Sequence, residues 1–143
     1  MKSKKIKNSL HIQEESVVLN QKYIRIQVRY TGKTGKPVGL FGANWHILNA
    51  DLFSQADKEL FLETDEWFNE NLPEPTFYDK DNPEKNNTQQ AITYFKTGAV
   101  SKYKDKILIL TGLLEKYGVA YDIVLTNTVG EIIYEDDYQI AVV

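Results

Sequence analysis

The sequence predicts an α+β fold in which helices pack on one face of an antiparallel or mixed sheet. Three observations carry this expectation. Apolar and polar residues alternate strictly over Tyr23–Tyr30, apolar residues recur at helical spacing through the middle of the chain, and strand-like runs gather after Gly118. Such segregation argues against an alternating, doubly wound parallel sheet. With 143 residues and neither an internal repeat nor a linker, a single core is expected. The chain therefore reads as a basic N-terminal tail and lead-in over 1–22, followed by one domain over 23–143.

In the first strand Ile24, Ile26, Val28 and Tyr30 alternate with Tyr23, Arg25, Gln27 and Arg29, which makes it half-buried. The connection TGKTGKPVGLFG favours turns and opens a helix near Leu40, where Phe41, Trp45, Leu48 and Leu52 are expected to form the buried stripe. Ser54 with Asp57 three residues on is an N-cap pattern for a second helix. That helix carries Leu60, Phe61, Thr64, Trp67, Phe68 and Leu72 on one side and stops at Pro73 and Pro75. Residues 73–88, rich in Pro, Asp, Asn and Lys, read as a surface loop. Thr88 is expected to cap a short helix through Ile92, Phe95 and Lys96 to Gly98, and a longer helix follows through Tyr103, Ile107, Leu110, Leu114 and Tyr117 to a Gly118 stop. The runs VAYDIVLT, EIIYE and YQIAVV are then three strands, each predicted to pair with the next across the 127–130 and 136–137 turns. The expected order is one N-terminal strand, about four helices and three C-terminal strands.

Composition excludes several chemistries. A formal charge of −3 gives no electrostatic reason to expect duplex DNA or an anionic membrane as partner. No window approaches the roughly 18 apolar residues of a membrane span, and the N-terminus lacks the apolar core of a secretory signal, so a cytoplasmic setting is expected. The absence of cysteine removes disulfides, thiolate nucleophiles and Cys-ligated metals. Two histidines, His11 and His46, are too few for a three-imidazole site, and neither stands in an HExxH arrangement. The glycines at 32, 35, 39 and 42 match no phosphate-loop pattern, and no serine occupies a GxSxG elbow. No metal, cofactor or catalytic residue is predicted.

The candidate binding residues fall in two groups. Tyr23, Arg25, Gln27 and Arg29 share the polar face of the first strand, where two guanidinium groups and a ring suit a phosphorylated, base-containing ligand. Lys36 just precedes the Leu40 helix, whose first N–H groups lack intrahelical partners, and Gly42, His46 and Asn49 share one face of that helix. Arg25, Arg29, Lys36, Gly42, His46 and Asn49 are therefore the expected ligand-binding set. Separately, Glu59, Glu63, Glu66 and Glu70 recur at i, i+4, i+7 and i+11 and line one face of the second helix as a partner-binding stripe for a basic surface.

The segments VGLFGANWHI, DEWFNENLPEPTFY and GEIIYEDDYQIAVV resemble landmark segments of short, unassigned proteins of bacteria and their phages, over most of residues 23–143. The resemblance implies an accessory role such as counteracting a host defence, and brings no catalytic residue with it. The function expected on all these grounds is non-enzymatic sequestration of a small anionic, nucleotide-derived ligand. The alternatives are a protein-interaction module using the acidic stripe and a nucleotide-acting enzyme with His46 as acid or base. A homo-oligomer is also expected, because YQIAVV at a sheet edge would expose apolar groups.

Overall fold

The computed structural model describes residues 4–6, 20–33, 35–75 and 90–143. In chain order these form β1 (Lys4–Ile6), β2 (Tyr23–Thr31), β3 (Pro37–Gly39), α1 (Leu40–Asn49), α2 (Gln55–Asn71) and β4 (Ile92–Lys96). A 3₁₀ turn (Thr97–Ala99) then leads into α3 (Val100–Lys116), followed by β5 (Tyr121–Thr126), β6 (Ile132–Glu135) and β7 (Gln139–Val142). The strands make one sheet in the order β1-β5-β2-β4-β7-β6, with β3 joined to β2, and every pairing is antiparallel. The α+β class expected from the sequence is the class observed.

The core forms where Ile24, Ile26 and Val28 of β2 and Ile123 and Leu125 of β5 meet the helical layer. Leu40, Ala43 and Ile47 of α1, Phe61 and Phe68 of α2 and Tyr103, Ile107, Leu110 and Leu114 of α3 supply the other side. Tyr103 is fully buried and donates its hydroxyl to Asn71 O at 2.9 Å, so its polar end is satisfied. Its ring stacks on Phe68 at 5.8 Å and meets Phe95 and Tyr138 at 5.6 and 5.7 Å. Burial pushes the Tyr103 hydroxyl up to about 12, with Tyr138 and Asp136 adding to the effect.

Helix boundaries follow local chemistry. Ser54 Oγ accepts the Asp57 N–H at 3.1 Å, the cap expected at the start of α2. At the end of α3, Gly118 adopts φ +73°, and its N–H reaches Glu115 O while the Val119 N–H reaches Leu114 O, at 3.2 and 2.9 Å. This two-bond closure needs a residue that tolerates the left-handed region, which is why a glycine ends the helix. Asp51, φ 57°, makes the same closure after α1.

Several expectations are corrected. The described residues contain three helices, not four, because the segment expected to be a short helix ending at Gly98 is β4 and a 3₁₀ turn. Ile92, Tyr94 and Phe95 fit a pleated strand, and β4 pairs with β2 on one side and β7 on the other. Strands are also not confined to 23–30 and the C-terminal part: the backbone of Lys4–Ile6, placed in the tail by the sequence, pairs with Ile123–Leu125. The C-terminal strands do not all neighbour one another. β6 and β7 form the expected hairpin, but β5 lies between β1 and β2 and runs parallel to β6, four positions away. Residues 127–131 connect them from Lys22, whose N–H donates to Asn127 Oδ1, to Val143, which exchanges backbone hydrogen bonds with Glu131. β7 is interior and buried at all four residues, so the edge exposure behind the expected homo-oligomer does not arise there. The α1 stripe is rotated: Leu40, Ala43, Asn44 and Ile47 are buried, Phe41 and Leu48 are partly buried, and Trp45 and Leu52 are 36% and 63% exposed. Trp45 and Phe41 face α2, packing edge-on against Phe61 and Phe68 at 5.0 and 4.9 Å. Thr88, residues 76–88 of the expected loop, Lys2, Lys7 and His11 lie outside the described residues.

Two glycines give opposite expectations. A Cβ at Gly130 would collide with the carbonyl oxygen of Val143, so Gly130→Ala should lower stability by about 1–3 kcal/mol. Gly112 lies inside α3 with nothing near its missing Cβ, and Gly112→Ala should raise stability by roughly 0.5–1 kcal/mol. Denaturant melts of the two variants check both signs; a neutral Gly130→Ala would contradict the path drawn for residues 127–131.

Candidate functional site

The sheet-face cations are held by internal acceptors. Arg25 is 7% exposed and donates from Nε to Gln27 Oε1 at 3.0 Å, from Nη1 to Thr93 O at 2.9 Å and from Nη2 to Pro37 O at 2.9 Å. These partners mark a seam in the sheet. On one edge of β2, residues 23 and 24 pair with β4, while Gln27 and Thr31 pair with β3. The guanidinium bridges the two neighbours, and Gly39 keeps room for it, since a Cβ there would lie 3.2 Å from Nη2. Burial pushes the Arg25 pKa below its ordinary value, with Tyr94 opposing that shift. Arg29, more exposed, pairs with Asp122 across β5 at 3.2 Å, and Tyr23 meets Tyr94 edge-on at 6.4 Å.

The second half of the ligand set is spread from Lys36, just before β3, along α1. Lys36 Nζ donates to Gln90 O at 2.8 Å. His46 is exposed, and its Nδ1 lies 2.8 Å from the hydroxyl of Tyr30 at the end of β2. Asn49 is exposed one turn further on, and Gly42 approaches Val38, whose Cγ1 would stand 3.0 Å from an added Cβ. The Arg25 guanidinium stands against Gly39, the residue before α1, whereas His46 and Asn49 are exposed in the second half of that helix. An open depression of about 440 Å³ occurs elsewhere, where Lys22, Tyr23 and Lys96 meet Thr97–Ala99, Glu135 and Asp137. Lys96 is already paired there with Glu135 at 2.6 Å.

The acidic stripe is assembled as one face. Glu59, Glu63, Glu66 and Glu70 are all exposed and stand opposite Asp57, Phe61, Thr64 and Phe68, the buried side of α2. An α-helical rise of about 1.5 Å per residue spreads them over roughly 16 Å. Among the described residues none of the four makes an ion pair; Glu59 accepts only from its own helix, from Gln55 Nε2 at 3.2 Å.

Sequence periodicity did not single out the apolar border of this face. Leu62, 39% exposed, is flanked along α2 by Glu59 and Glu66, and Asp65 follows it by three residues. Trp45 of α1 lies over Phe61, ring centroids 5.0 Å apart. Burial pushes the Asp65 pKa up, the neighbouring Trp45 opposes this, and the charge of Glu66 adds to it. A helical wheel was the available signal, since Leu62 falls well away from Phe61, Thr64 and Phe68.

Two carboxylates have structural duties. Asp57 Oδ2 accepts from Tyr117 at 2.6 Å and from Lys116 at 2.8 Å, tying the start of α2 to the end of α3. Asp136 accepts the backbone N–H groups of Tyr138 and Gln139 and the Tyr134 hydroxyl, at 2.8, 3.0 and 2.7 Å, which sets the β6–β7 turn. Among the described residues no group of three His, Asp or Glu side chains is placed to hold a metal ion, and no helix is long and apolar enough to cross a membrane.

Arg25→Ala should destabilise the fold by about 1–3 kcal/mol or more, because the Thr93 and Pro37 carbonyls lose their donor, and denaturant melts measure this. Asp57 gives a pH-dependent expectation. The hydrogen bond from Lys116, and then that from Tyr117, hold its pKa below the ordinary value, while the Lys116 pKa is raised by the same contact. The aspartate contribution is therefore full above about pH 4 and lost as pH falls through the lowered value; the lysine contribution is lost as pH rises through its raised one. Melts of Asp57→Asn and the parent protein should differ most between these limits and converge in acid. A constant difference down to pH 2 would contradict the assignment.

Comparison of the chain with protein-family models, with curated proteins and with solved structures finds no match.

Proposed function

We propose that this chain is a non-enzymatic protein-interaction module whose outward α2 face docks on a basic surface of a partner protein. One observation carries this reading: Glu59, Glu63, Glu66 and Glu70 form a continuous, exposed row that no described cation neutralises. Like charges at i, i+4 spacing cost a few tenths of a kcal/mol per pair in an isolated helix. An approaching basic surface would relieve that repulsion and be steered by it, giving fast, salt-sensitive association.

Sequestration of a small anionic, nucleotide-derived ligand is the second reading. It is favoured by the depression that brings Tyr23 beside Lys22 and Lys96, while Glu135 and Asp137 on the same walls oppose an anion. A thermal-shift screen against mono-, di- and cyclic nucleotides tests it, since a ligand at 100 times its Kd adds about 2.7 kcal/mol.

The interaction reading is tested by charge reversal, with Glu63→Lys and Glu66→Lys combined in one variant. Proteins retained by the immobilised parent at low salt should be lost from the variant, with the far-ultraviolet circular dichroism of the two unchanged. Equal retention by both, or retention by neither, overturns the reading.

A further inference from the structure

We infer that the partner element is a basic amphipathic helix, lying along the α1–α2 seam with its apolar stripe on Trp45 and Leu62 and its cations on the acidic row. This rests on the interaction reading above and adds the partner's chemistry to it. The apolar part of the surface lies at the seam. Trp45 is 36% exposed although its ring packs edge-on against Phe61 at 5.0 Å, a contact that sets the indole at the border of α2. Trp67, which packs on Tyr103 of α3, lies on one flank of the acidic row and Leu62 on the other, beside Phe61 and α1.

Charge and geometry select the occupant. A surface carrying Glu59, Glu63, Glu66 and Glu70 repels nucleic acid and anionic lipid, and complements Lys or Arg. The repeat of the row is helical, about 16 Å long over three turns. A partner helix packed alongside presents side chains at the same repeat, so one of its flanks meets the row while its apolar face covers the two exposed groups. An extended strand has a period of two residues and would match neither. The tryptophan gives the surface an indole anchor of the type over-represented among residues that dominate binding energy.

The test uses the full chain with Trp67→Phe, which leaves Trp45 as the sole indole of the chain. The probes are a leucine–lysine peptide patterned as an amphipathic helix and a peptide of identical composition with its leucines scattered. The patterned peptide should bind about tenfold more tightly or better, the equivalent of roughly 1.4 kcal/mol, and shift Trp45 emission to the blue. Leu62→Ser should remove that advantage while leaving the scattered peptide's salt-dependent binding in place. Should Trp67→Phe fail to fold, the same comparison is made calorimetrically on the parent and on Leu62→Ser. Equal binding of the two peptides overturns the helical partner and leaves the acidic docking face standing. Binding of neither overturns both.

Discussion

The seam on one edge of β2 is the constraint on which the architecture turns. A central strand normally keeps one neighbour on each side along its length, yet β2 has β5 on one side and, on the other, β4 followed by β3. Without a filler, the step would leave carbonyl groups facing a gap. Arg25 supplies rigid, planar donors to Thr93 and Pro37, and Gln27 takes a third. Lysine, with a compact ammonium group on a flexible stem, could not span both carbonyls in a fixed plane. By holding Pro37 the guanidinium also ties down the first residue of β3, the short strand that leads directly into α1.

The aromatic composition has its main explanation in the same packing. Tyr117, Phe53, Phe61 and Trp45 form one chain of ring contacts, and Phe41, Phe68, Trp67 and Tyr103 form another that continues to Phe95 and Tyr138. Most contacts are edge-to-face, the arrangement favoured by ring quadrupoles. Lys102 and Lys106 lie over Tyr138 and Trp67 at 4.4 and 5.5 Å, so part of the basic surface of α3 is held against these rings. Among the described aromatic residues, Tyr30 and Trp45 are left the most exposed, at 42% and 36%.

Local signals were legible where neighbours in sequence decide the outcome. Alternation placed β2, the Ser54 cap placed the start of α2, and Gly118 placed the end of α3, because each depends on a few adjacent residues. The segment at Ile92 was misjudged because its strand character comes from pairing with Tyr23, Ile24 and the distant residues 139–142, which no short window contains. The α1 stripe was misjudged for a related reason. Phe41, Trp45 and Leu48 do share a face, but α2 lies against that face while the sheet and α3 take Leu40, Ala43 and Ile47. At the candidate surface, spacing alone placed the acidic row. Leu62 was passed over because exposure depends on which helices pack together, and the polar face of β2 looked free because nothing local reveals that Arg25 is enclosed.

The interior position of β7 imposes an order of assembly. β4 can pair with β2 as soon as both are present, but its other edge has no partner until residues 139–142 have been made. Between those events the chain carries a strand of Ile92, Thr93, Tyr94 and Phe95 whose outer N–H and C=O groups are unpaired, a template for association with other chains. β5 must meanwhile pair at the opposite side of the sheet, across a long sequence separation from β2. Contacts of such separation slow folding. The hairpin that Asp136 organises can form locally before it docks, so β6 and β7 would arrive together and cover the β4 edge in one step.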